Sequence, residues 1–276
     1  MRLFRSNIRK LVRRPATFVT FLLLIALVVL IMLAVTAASK QATNQESEVA
    51  SKLFLTFPGA WALILSVVIG IGGLLSVTYG AAIAGSEWAW GTLKAAIARG
   101  ESRSRYALAG FAAVVVVMWG GMLLAYAAGI LAAILGASLS GISLSGLGDT
   151  SQLGDMPDLL ARAGLALAMQ AAIGFAIATI ARSQLAGIGV GIGVYFAEGI
   201  ASVFVPGIIK WFPFASASSM LAGASRSVEA SAGSSAGAAA VADRLDPTLA
   251  VVVVLAWLVG SLLVAAAWTE RAEISG

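Results

Sequence analysis

The chain has 276 residues, of which 60% are hydrophobic and 11% charged, with a formal net charge of +5. A soluble domain carries about a quarter charged residues, so the bulk of this chain is expected in lipid; the basic residues sit beside apolar runs, which reads as membrane topology rather than nucleic-acid binding. With no Cys and no His, the composition excludes disulfides, thiol chemistry, Ser–His and Cys–His nucleophile pairs and the common zinc sites.

Residues 1–14 hold Arg2, Arg5, Arg9, Lys10, Arg13 and Arg14 and no acid, while Leu3, Phe4, Ile8, Leu11 and Val12 recur at roughly helical spacing. This is a basic amphipathic helix expected to lie on the inner leaflet, with Pro15 separating it from the first span. Residues 17–37 are apolar and long enough to cross a bilayer. The core of a secretory signal is about 7–15 residues, so a span is the better reading of this run. After a polar loop over 39–56, a second span is expected at 58–85. Gly70, Gly72 and Gly73 within it suit either close helix approach or a kinked helix.

A polar island, Ser86–Arg105, follows. It carries Glu87, Lys94, Arg99, Glu101, Arg103 and Arg105 between two uncharged blocks. Read as a helix, it puts Trp90, Leu93 and Ile97 on one face and Glu87, Gly91, Lys94, Ala98 and Glu101 on another. Such an element suits a membrane surface or a partner's groove. A third span is expected at 106–136, then a Gly/Ser loop over 137–158 with Asp149, Asp155 and Asp158. The fourth span is placed at 159–181, a tight turn at Arg182-Ser183-Gln184, and the fifth span at 185–205. Residues 206–246 begin with interfacial aromatics, Trp211, Phe212 and Phe214, and continue into an Ala/Ser/Gly-rich stretch over 223–242, a weak helix or a loop. The sixth span is placed at 247–268.

Six spans put both termini on one side. With the N-terminus inside, the inner segments hold 12 of the 18 Lys and Arg and the outer segments 6. That bias predicts cytoplasmic termini and a cytoplasmic island.

The island then resembles the cytoplasmic loop of ABC-2 type permeases, the membrane subunits of ATP-driven exporters. Such permeases have a Glu, then Gly-Thr, an apolar stretch and a basic Ser-Arg turn into the third span. The corresponding residues are Glu87, Gly91-Thr92, Leu93–Ala98 and Ser102-Arg103. The basic N-terminal helix ending in Arg13-Arg14-Pro15, the six spans and the extra segment before the last span fit the same layout. Trp88-Ala89-Trp90 departs from it, since a basic residue before the Gly-Thr is more usual. The resemblance covers most of the chain by layout and about twenty residues by motif.

The resemblance implies an all-α membrane protein of two regions: a cytoplasmic amphipathic helix over 1–15 and one transmembrane domain over 16–276. The domain would hold six transmembrane helices, a coupling helix between the second and third, and an external helical or re-entrant segment between the fifth and sixth. It also implies a bacterial-type inner membrane, a second permease subunit in a homo- or heterodimer, and two separate ATPase subunits that bind ATP and Mg. The chain itself has no GxxxxGK[ST] phosphate loop, so no nucleotide cofactor, metal or catalytic residue is expected in it. Glu87, Trp88, Trp90, Gly91, Thr92, Lys94, Arg99 and Arg103 would couple it to the ATPases. Their structural readings stand beside that one: Glu87 capping its own helix, Trp88 and Trp90 as interface anchors, Arg103 and Arg105 snorkelling to lipid phosphates.

Glu198 is the one acid within a span, and Arg162 lies at comparable depth on the fourth. They either pair and brace an outer gate, or Glu198 faces water at the outer surface. Spans rich in Ala, Val, Leu, Gly and Phe point to a hydrophobic or amphipathic cargo. The competing classes are a secondary transporter, which would usually show internal repeats and broken helices, and a membrane assembly or scaffold protein.

Overall fold

The computed structural model describes residues 2–41, 52–57, 59–144, 147, 150–221 and 244–272. The expectation for residues 223–242 and the placement of Asp149 lie outside them. Among the described residues the regular structure is all helical. The elements are α1 (Arg2–Val12), α2 (Pro15–Gln41), α3 (Gly59–Ala89), α4 (Thr92–Ile97) and α5 (Arg103–Leu139), followed by α6 (Thr150–Ala181), α7 (Gln184–Phe204), α8 (Pro206–Ile209), α9 (Pro213–Ser219) and α10 (Pro247–Arg271). Six of these, α2, α3, α5, α6, α7 and α10, are long and apolar enough to cross a membrane. The protein is thus a multi-pass helical membrane protein. Helices are the form such segments must take, because a backbone in hydrocarbon has no water to bond and must satisfy itself within the segment.

The most apolar stretch of α6 is 83% buried and that of α3 61%, against 17% for α2 and α7. α3 and α6 therefore form the centre, and they make the most extensive pairing in the bundle. α10 packs on α6, α7 on α3, and α2 on α5. On α2 the buried residues Leu24, Val28, Met32 and Thr36 recur every fourth position, while Phe18, Leu22, Leu30 and Leu33 are exposed. That is a helix with one protein face and one lipid face. Small residues let α3 and α6 touch through their backbones: a methyl on Gly80 would overlap the Ala171 carbonyl, and one on Gly174 the Val77 carbonyl. Gly72 and Gly73 instead receive side chains, of Leu24 and Leu167 and of Gln170 respectively. The close backbone approach thus lies a few turns from the glycine cluster that suggested it.

The expected tight turn is present. Arg182 takes a left-handed backbone (φ 50°), and the Ser183 hydroxyl caps α7 by accepting from the Ala186 N–H at 3.3 Å. Several helices run past their apolar cores. α6 begins at Thr150, so Asp155 and Asp158 belong to a helix and not to the expected loop over 137–158. The ladder of backbone hydrogen bonds does not stop where polarity changes. α1 is also not simply laid on lipid. Leu11 and Asn7 are buried, and Phe4 and Ile8 pack against the same cluster as Phe111 and Val114 of α5. Its outward residues include Arg5 and Arg9.

Candidate functional site

The polar island is not one amphipathic helix. Its first residues are the last turn of α3, which ends at Ala89; the chain reverses through Gly91 and runs as α4 for six residues. Gly91 sits at φ 63°, a left-handed conformation that a side chain disfavours, and this is the physical reason for a glycine before Thr92. Gly100, at φ 87°, makes the second turn, into α5. The expected common face of Trp90, Leu93 and Ile97 is divided accordingly: Leu93 is buried and Trp90 is 65% exposed.

Glu87 is the centre of the arrangement. One carboxylate oxygen accepts from Lys10 Nζ at 2.5 Å and from Arg14 Nη2 at 3.2 Å. The other accepts from Thr92 Oγ1 at 2.5 Å and from Tyr106 OH at 2.8 Å. These donors come from α1, from the two-residue link between α1 and α2, from α4 and from α5. A single anion therefore joins four segments. The Glu87 side chain is 16% exposed and Arg14 10%, so the ion pairs are only weakly screened by solvent. Arg14 Nη1 also donates to Ser86 Oγ at 2.8 Å, and its guanidinium lies 4.7 Å from the Trp90 ring centre. Thr17 Oγ1 bonds the Leu11 carbonyl at 2.7 Å and the Tyr79 hydroxyl at 2.8 Å, which fixes the angle between α1 and α2.

Two further contacts extend the junction. The Arg182 guanidinium stands 5.3 Å from the Trp88 ring centre and ties the α6–α7 turn to the end of α3. Arg103 Nη1 donates to the carbonyls of Glu270 (3.1 Å) and Ala272 (2.7 Å) at the end of α10, and the Ser104 N–H donates to Glu270 Oε1 at 3.0 Å. The ends of α1, α3, α5, α6 and α10 thus meet at one end of the bundle.

Of the predicted coupling residues, Glu87, Thr92 and Arg103 are engaged within the chain, and Trp88 and Trp90 each carry an arginine. Lys94 and Arg99 lie on the exposed rim of α4 and the turn after it. Lys10, Arg14, Ser86 and Tyr106 were not among the predicted site residues. Their signal was the cluster of cations at the first span's entrance and a phenol at the third's.

The expected Arg162–Glu198 pair does not form. Arg162 Nε donates to Asp158 Oδ2 at 2.6 Å, one helical turn away. Glu198 is buried rather than facing water, and its Oε1 accepts from the Ala215 N–H at 2.5 Å. There it caps α9, whose own N-cap residue, Phe212, makes no side-chain cap bond. The Arg162–Asp158 pair joins side chains that are 26% and 63% exposed. Arg162→Ala is therefore expected to change stability by only about 0.3–0.5 kcal/mol, read by thermal unfolding in detergent.

No protein-family model matches the chain, and a search of curated proteins gives no match.

Proposed function

We propose that the chain is the permease subunit of an ABC-2 type exporter, working with two ATPase subunits and a second permease in a bacterial-type inner membrane, both termini cytoplasmic. The observation that carries this reading is the junction at Glu87. It makes α4 mechanically continuous with α1 and with the two spans that α4 connects, as a lever needs in order to hand motion to a bundle. The chain lacks a phosphate loop, so ATP and Mg are assigned to the partners. Closure of the ATPases would push on the exposed rim formed by Trp90, Lys94 and Arg99, and the bundle would rock as packed rigid parts. Glu87 and Arg103 act behind that rim: they transmit the push and do not meet the partner themselves. The cargo is expected to be hydrophobic or amphipathic.

The test is co-expression with candidate P-loop ATPases, followed by pull-down and ATP hydrolysis in lipid. Lys94→Glu combined with Arg99→Glu, which leaves the Trp90 face under Arg14 in place, is expected to lose the ATPase from the pull-down while the permease elutes as wild type. Glu87→Ala with Arg103→Ala is expected to retain association and to lose the effect of the permease on hydrolysis. If the rim variant assembled and turned over like wild type, the coupling assignment would fail. Substrate flux driven by an ion gradient, with no nucleotide present, would favour the secondary-transporter reading, to which a buried carboxylate between spans is also suited.

A further inference from the structure

Away from the junction, α3, α6, α7, α8 and α9 border an open-sided cavity of about 440 Å³, within the range of small-molecule sites. Much of its wall is apolar, with Leu65, Ile69, Ile209 and Phe214 among the lining residues. Its polar groups are arranged unevenly. The hydroxyls along the wall are already donating to backbone carbonyls: Ser66 to Leu63, Ser202 to Gly199, Ser218 to Ala215 and Tyr195 to Gly70. Two acceptors are left over. Glu198, 5% exposed, spends Oε1 on α9 and has no partner at Oε2; Gln170, 1% exposed, has none at Oε1. The missing side chain of Gly73 is what makes room for the Gln170 amide beside α3. Buried acceptors without donors are uncommon, and a carboxylate among spans is costlier still. Both oxygens are covered and lie behind the lining, so a ligand that brings donors would turn them toward the cavity while resting on its apolar surface.

We infer that this cavity binds an amphipathic primary amine, its ammonium N–H groups held by Glu198 Oε2 and Gln170 Oε1 and its chain lying on the apolar wall. Lys210 and Arg244 also line the cavity, but both are only partly buried where Glu198 and Gln170 are buried. Their charge disfavours a bare metal ion, which would also leave the apolar wall uncovered. The shared chemistry is the ammonium, whether on a lipid head or on a free alkylamine. The inference stands apart from the ATPase reading, because binding is measured on the purified chain without nucleotide.

The experiment is calorimetric titration of the full chain in maltoside micelles, with empty micelles subtracted. The probes are octylammonium and octyltrimethylammonium, equal in charge but differing in N–H donors, and dihexanoyl phosphatidylethanolamine against dihexanoyl phosphatidylcholine. At least one donor-bearing probe is expected to bind about tenfold or more tighter than its methylated counterpart, the scale of a charge-assisted hydrogen bond. Preference only within the phospholipid pair assigns a lipid head; preference only within the alkylamine pair assigns a free amine. Glu198→Gln keeps an oxygen for the Ala215 N–H, and Gln170→Leu leaves the α9 cap untouched. Each is expected to remove most of the discrimination with elution and circular dichroism unchanged. Should Glu198→Gln not fold, Gln170→Leu alone carries the test. Equal binding of methylated and unmethylated probes by wild type, the result if water or detergent fills the cavity, overturns the inference. So does discrimination that survives Gln170→Leu.

Discussion

Glu87→Ala is expected to destabilise the protein by about 2–4 kcal/mol, read as a lowered midpoint of thermal unfolding in detergent, because it deletes four bonds at once and strands the cations they held. Arg14, 10% exposed at its side chain, would keep only Ser86 and the Trp90 face; Lys10, 30% exposed, turns to solvent more easily. Lys10→Ala is therefore expected to cost much less than Glu87→Ala. Glu87→Gln, which keeps the shape and one acceptor but not the charge, should fall between the two. Glu87→Ala also releases Thr92 and Tyr106, so protease cleavage within residues 90–102 should accelerate in that variant. If Glu87→Ala melted like wild type, this carboxylate would not be what holds the four segments together.

The second large effect is expected at the contact of α3 with α6. In Gly174→Ala the new methyl meets the Val77 carbonyl, and in Gly80→Ala it meets the Ala171 carbonyl. These obstacles are backbone and cannot rotate away as a flexible side chain can. Each replacement should cost roughly 1–3 kcal/mol or more, since the two helices must separate. The double replacement should cost less than the sum, because one separation relieves both overlaps. Gly189→Ala is the matched control. Nothing lies within 4 Å of a methyl there, so the helix-propensity gain of alanine should leave stability equal or higher. Equal melting of Gly174→Ala and Gly189→Ala would mean that the central pair is not in backbone contact.

The six long helices could be read from the chain because a bilayer demands about twenty apolar residues of each, and that demand is written locally. The Arg182-Ser183 turn was legible for the same reason. Partnerships were not. Lys10 and Arg14 lie 77 and 73 residues from Glu87, and nothing local distinguishes them from the other cations of the N-terminal segment. The island was misread as one helix because its apolar spacing is helical throughout; the positive φ of Gly91 and of Gly100 breaks it twice, and a lone glycine within a helical pattern does not announce that. Gly70, Gly72 and Gly73 drew attention by clustering, yet which glycine meets a backbone depends on helix rotation. Gly120 and Gly260 face open space, while Gly80 and Gly174 do not. Arg162 and Glu198 were matched by depth alone. The polar turns at the start of α6 carry no apolar periodicity, so Asp158 as a nearer partner stayed hidden. Gln170, in contrast, is visible in the sequence as a lone amide in an apolar run, but a neutral amide is a weaker signal than a charge among spans.

The long helices are unequal. α5 has 37 residues and α7 has 21, which at 1.5 Å per residue is about 55 Å and about 31 Å. Hydrocarbon is about 30 Å thick, so α7 has almost no length to spare for tilting, whereas α5 has ample excess to lean or project. Lipids of different chain length would then load these two helices in opposite senses, and acyl composition becomes a variable that sets the resting posture of the bundle.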